Sequence, residues 1–201
     1  MGELVPMLFV EMGLPISPVL FGTDARGGED HGDHGGHGIV ATDVGLETAT
    51  ALLSKGMRPG HSVTRLDGSF VPRRRPEEPW RRATPLSRAS KELDAAERAQ
   101  WRQVDAGLWR FLDHITLGEG RAVVRLCRLL AACSRVHAHR VLSLQDNSSI
   151  PGAFAKGRSP SPAVNFLARQ RAASTTAANV QMMVPWVQTT RQSADAISRD
   201  K

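Results

Sequence analysis

The stretch HITLGEGRAVVRLCRLLAACSRVHAHRVLSLQD, residues 114–146, decides the fold. From Glu119 to Cys133, the residues Ala122, Val123, Leu126, Leu130 and Cys133 recur at helical spacing, while Arg121, Arg125 and Arg128 occupy a separate stripe. The pattern predicts an amphipathic helix with a basic outer face. Gly118 and Gly120 flank Glu119 and weaken the start of that helix. RVLSLQD (140–146) then reads as a buried strand that stops at Asp146-Asn147. Glu119 shares the apolar stripe with Val123 and Leu126, so it points toward the sheet, where a carboxylate needs a partner.

Downstream, Ser149 and Pro151 give a helix start with Gly157 as its stop, and Ser161-Pro162 repeats the signal for a helix running to about Ala173. NVQMMVPWV (179–187) alternates Val180, Met182, Val184 and Trp186 on one face, as a strand does, and Pro185 confines it to an edge or a bulge. Ser193 is placed to cap a final short helix with Asp195 in its first turn, where the backbone dipole favours an anion.

Upstream, 18–24 (PVLFGTD) and 37–44 (HGIVATDV) read as strands joined by the glycine- and histidine-rich turn RGGEDHGDHGG, an enlarged β-hairpin. Residues 45–56 fit a short helix, and HSVTRLDGSFV (61–71) fits another strand. Residues 72–92 are rich in proline and charge and are expected to form an exposed, flexible insertion. Trp80, Trp101 and Trp109 follow among basic residues; they suit either base stacking or packing of a local helix around 92–112, and Trp186 suits the core. The order of elements is that of an α/β domain, a mixed β-sheet flanked by helices, with a long insertion between the second strand and the first core helix.

A chain of 201 residues with 41% hydrophobic content supports one well-buried core. The net charge of +6 comes mostly from arginine, the side chain suited to bidentate phosphate contact, so a polyanionic partner is expected. Cys127 and Cys133 lie on one helix, about 9 Å apart at a ~1.5 Å rise per residue, too far for a disulfide. Both read as small core thiols in a reducing, intracellular setting, cytoplasmic or nuclear. The N-terminal apolar stretch holds Glu3, Glu11 and two prolines and has no basic flank, which argues against a signal peptide or a membrane span.

Four acids now stand out: Asp24 ending one strand, Glu119 on a helix, Asp146 ending another strand and Asp195 opening a helix. Strand ends at the edge of an α/β sheet are where ligands bind, and carboxylates are costly to gather without cations. The pieces TDA with GGHGIVAT, HITLGEGRA, LQDNSS with AKGRS, and VPWVQTTRQSADAISR together resemble the ribonuclease H family, and more narrowly the ribonuclease H domain that follows reverse transcriptase in retrotransposons. S-A-D-x-x-S-R is the most specific of them. The resemblance covers about residues 15–200 without the insertion. It implies a ribonuclease H-like domain over 18–200, enlarged at about 45–117, with 1–17 as the tail of a preceding reverse transcriptase region.

The resemblance further implies that Asp24, Glu119, Asp146 and Asp195 are catalytic and hold two Mg²⁺ (or Mn²⁺) ions. One ion would activate water and the other would stabilise the leaving oxygen during cleavage of the RNA strand of an RNA/DNA hybrid. Asn147, Lys156, Arg158, Arg121 and Arg125 would contact nucleic acid, and the reverse transcriptase domain of the same polyprotein would be a partner. An unusually long interval separates Asp24 from Glu119, which keeps open a catalytically weak or inactive nucleic-acid-binding module. Singly, Asp24, Asp146 and Asp195 also suit a turn, a strand end and a helix start. His31, His34 and His37 have a composition able to bind zinc or nickel, but without a cysteine and between glycines they read as a flexible hairpin tip. Asp43 is expected to face solvent.

Overall fold

A computed structural model describes residues 13–28, 33–56, 91–147 and 149–199 of the chain. Strands β1 (Ile16–Arg26) and β2 (Gly36–Asp43) pair antiparallel, in register from Val19 with Asp43 to Arg26 with Gly36. At the base of their connection, Arg26 donates twice to the Asp33 carboxylate, at 3.0 and 2.6 Å, and Gly35 takes φ +80°, a backbone state that favours glycine. Helix α1 spans Gly45–Gly56, over the residues expected from the sequence.

The expected strand at 61–71 and nearly all of the expected insertion at 72–92 lie outside the described residues. Lys91 and Glu92 instead open helix α2 (Lys91–Arg98), and the chain returns as β3 (Arg102–Leu108), antiparallel to β2. A helix across 92–112 is therefore corrected to a short helix and an edge strand. RQVDAGL carries little intrinsic strand preference, and it is the unpaired backbone edge of β2 that recruits it. Trp101 packs beside α2 and donates to the carbonyl of Ala96 at 3.0 Å.

Helix α3 runs Ile115–Ala132, one turn earlier than the Glu119 start read from the sequence. His114 caps it by accepting from the Thr116 N–H at 3.2 Å. The two glycines that weaken it locally are close-packing points: a Cβ at Gly118 would lie 3.3 Å from the Ala25 Cβ, and one at Gly120 would lie 2.8 Å from Leu167 Cδ1. Strand β4 (Arg140–Leu144), helix α4 (Ser149–Lys156), helix α5 (Pro162–Ala177), strand β5 (Gln181–Met183) and helix α6 (Asp195–Arg199) complete the chain.

The five-stranded sheet has the order β3-β2-β1-β4-β5, with β1–β4 and β4–β5 parallel. β5, ahead of Pro185, is an edge as expected. One face buries Phe21, Ile39, Val123, Leu126, Ile150 and Leu167 beneath α3, α4 and α5; the other buries Leu20, Leu52, Leu53, Leu93, Leu142 and Leu144 beneath α1 and α2. Cys127 belongs to the first core, but Cys133 is exposed, because α3 has already ended and its backbone is extended there. Trp186 is half-buried at an isolated bridge to Gln145 rather than in the core. Among the described residues no helix is long and apolar enough to cross a membrane.

Candidate active site

The parallel pair at the centre of the sheet sets the site. Gly22 of β1 is level with Leu144 of β4, so Asp24 and Asp146, each two residues further on, come side by side; Asp146 lies just past β4, while Asp24 is corrected from a strand end to a residue within β1, still paired with Gly38 of β2. Glu119 reaches the same point from α3, whose Gly118 lies against Ala25. Ligand oxygens of Asp24, Glu119 and Asp146 fall within 4.8 Å of one another. Asp24 and Glu119 are 3% and 4% exposed, so two of these acids have almost no access to bulk water.

Burial is the main cause that pushes the Asp24 carboxyl up to about 7, opposed by a hydrogen bond from Ser198 and by the Arg199 charge and reinforced by Asp146 and Asp195. Burial also raises Glu119, to about 9, reinforced by the charge of Asp24 and opposed by Gln145. Among the described residues no ion pair reaches the three carboxylates. Arg199, whose positive field acts on Asp24, is bound to Asp195 by Nε and by Nη2, both at 2.8 Å. Asp195 therefore lies near the group but not in it: its charge acts on Asp24, while its carboxylate is held by its own helix.

The other expected contacts divide similarly. Asn147 accepts from the N–H groups of Ser149 and Ile150, at 2.9 and 3.3 Å, and so caps α4. Lys156 and Arg158 are exposed at the end of α4 and just beyond it. Arg121 pairs with Asp113, and Arg125 Nε donates to Asp105 at 2.8 Å, which holds the Asp105 carboxyl below its ordinary range. His37 is corrected from a hairpin tip to a buried residue of β2, stacked on Trp109 at 4.5 Å between centroids and 2.9 Å from Asp105. β2 begins at Gly36 and continues the pairing with β1 and β3 through this residue. His31 lies outside the described residues, and His34 is exposed. Asp43 is exposed as expected.

Three supporting residues escaped sequence reading. Gln145, fully buried, donates to the Glu119 carboxylate at 2.9 Å and to its carbonyl at 3.1 Å. Trp186 donates its indole N–H to the carbonyl of Asp146, and Gln145 exchanges backbone bonds with Pro185 and Val187. Gln192 joins both central strands by donating to the carbonyls of Thr23 and Leu144, at 3.0 and 3.2 Å. It, rather than Ser193, supplies the bonds at the entrance of α6, through its carbonyl to Asp195 N–H and its side-chain oxygen to Ala194 N–H. The available signal was a polar residue inside an apolar strand, as Gln145 is in RVLSLQD.

An oxygen-only donor set with no internal cation fits a hard divalent ion of the Mg²⁺ or Mn²⁺ type. No family model matches the sequence, and neither does any curated protein. Solved structures do match. An RNase H1 isolated from compost, LC11-RNase H1, is 11% identical with a TM-score of 0.52 over 90% of this chain and 93% of its own. The N-terminal RNase H domain of a Mycobacterium tuberculosis protein, solved as a maltose-binding-protein fusion, is 14% identical over 90% and 92% of the two chains, with a TM-score of 0.43. RNase H1 from the archaeon Halobacterium salinarum is 10% identical over 89% and 92%, with a TM-score of 0.41. The order and pairing of the strands, the helices on both faces and the first of these matches show that this chain has the ribonuclease H-like fold.

Proposed function

We propose that the chain is a divalent-metal-dependent endonuclease domain of a retroelement, hydrolysing the RNA strand of RNA/DNA hybrids. The observation that carries this reading is the meeting of Asp24, Glu119 and Asp146 from three elements, two of them buried and none paired with a cation among the described residues. A fold that only needed stability gains nothing from such a group. Two divalent ions held there, Mg²⁺ or Mn²⁺, would supply charge stabilisation and an activated water for displacement at phosphorus. Asp24 and Asp146 would offer oxygens side by side, Glu119 would offer one from α3, and Asp195 would become the fourth donor on release from Arg199. Arg121, Arg125, Lys156 and Arg158 would hold backbone phosphates, and Asn147 would position the strand beside Asp146.

The retroelement context rests on the SADAISR motif and its companions. It makes the residues ahead of β1, within the 1–17 expected from the sequence, the tail of a reverse transcriptase region, β1 to about residue 200 the nuclease domain, and the reverse transcriptase of the same polyprotein its partner. A second reading, a weak or inactive module that binds nucleic acid, is favoured by one observation: Asp195 is tied to Arg199 outside the three-acid group. Incubation with a labelled RNA/DNA hybrid, with and without Mg²⁺, beside Asp24→Asn, separates them. Mg²⁺-dependent cleavage by the wild type alone, with hybrid binding retained by the variant, is expected. Equal cleavage by both, or binding with cleavage by neither, sinks the catalytic reading.

A further inference from the structure

Helix α6 has only five residues, too few to hold itself, so its position is imposed from outside. Gly38, level with Asp24 across the β1–β2 pair, admits it: a Cβ there would lie 2.8 Å from Ser198 N and 2.9 Å from Ala194 O, both backbone atoms. Gln192 fixes the entrance of the helix to β1 and β4 by the two bonds described above. The outcome is that Ser198, 2% exposed, sets its Oγ 2.5 Å from Asp24 Oδ2. The same Oγ is 2.9 Å from the carbonyl of Asp195. A hydroxyl has one hydrogen, and of two competing acceptors the carboxylate takes the stronger bond.

We propose that Ser198 is a positioning residue of the metal site: its hydroxyl holds the Asp24 carboxylate through Oδ2 and couples it to the helix bearing Asp195. The inference rests on the metal-site reading above. A carboxylate without such a partner turns freely about its last torsion, and partners of this kind set both the orientation and the ion affinity of a ligand.

The test is calorimetric titration of the whole chain with Mn²⁺ in the absence of nucleic acid, together with the melting temperature of the ion-free protein. Wild type is compared with Ser198→Ala and with Ser198→Cys, which keeps the branching of the side chain with a somewhat larger atom but replaces a strong donor by a weak one. Both variants are expected to bind Mn²⁺ ~10-fold more weakly or worse, while melting within about 5 °C of wild type. Wild-type affinity in either variant overturns the inference. So does a loss of affinity that comes only with a larger fall in melting temperature, which would make Ser198 a structural anchor of α6. Failure of the wild type itself to bind Mn²⁺ sinks the metal site, and this inference with it, and is distinguishable because the variants play no part in that result.

Discussion

Glu119 and the arginines of α3 occupy one helix, yet the helix treats the two charges in opposite ways. Arg121 and Arg125 each find an aspartate, Asp113 and Asp105, at a partly exposed surface where such pairs contribute little. Glu119, beside Arg121 in sequence, is buried with two other acids and finds only neutral donors, Gln145 and the Ala25 N–H. Charge that is balanced within the chain supports structure. Charge that is buried and unbalanced needs something from outside, and three oxygens call for a cation.

Asp146→Asn presses hardest on this contrast. Loss of one member should reduce Mg²⁺-dependent hybrid cleavage about a thousandfold or more, while the ion-free protein melts no lower, because a repulsion is removed. A clear drop in melting temperature would place the acids with the structural pairs instead.

Next in size is the pH dependence of ion-free stability. Asp24 and Glu119 are raised to about 7 and about 9 from the ordinary 3.8 and 4.5, so the native chain keeps protons that the unfolded chain has released. The contribution of these two groups to stability is thus full below about pH 4 and is lost as pH rises through the window between those values. Melting curves from about pH 5 to pH 9 should fall without ions and flatten with Mg²⁺; a flat curve in both states contradicts uncompensated burial.

A smaller effect is expected of Gln145→Leu, which removes a donor from Glu119 without changing a charge. Mn²⁺ affinity should fall ~10-fold, measured by titration, and an unchanged affinity would reduce Gln145 to packing. Least of all, Asp105→Asn leaves His37 an amide partner and releases Arg125 from a surface pair that contributes about 1 kcal/mol or less. If that arginine can reach phosphate, hybrid binding tightens and the slope of log affinity against log salt steepens by about one. No change in that slope would keep Arg125 a structural residue.

Local pattern carried the reader far where neighbours in sequence are neighbours in space. The amphipathic body of α3 and the starts of α4 and α5 follow from periodicity and caps. The burial of Glu119 follows from its place on the stripe. Residues whose partners lie far along the chain were not legible in that way. The strand Arg102–Leu108 exists because β2 has an open edge, His37 is buried because β3 and Trp109 cover it, and Asp195 stands apart because Arg199 is one helical turn away. The glycines around Glu119 looked like weaknesses in a helix; against Ala25 and Leu167 they are what lets the helix come close.

By itself the sequence determined the central strands, the helices α1, α3, α4 and α5, the presence on them and their flanks of four acids, and a basic surface, since these depend on spacing of about one helical turn or less. The tertiary structure alone decided the register of Gly22 with Leu144 that sets Asp24 beside Asp146, the approach of α6 over Gly38, and the division of acids into paired and unpaired. Pairing across a sheet and desolvation are sums over the whole packed chain, and no local stretch of residues contains them.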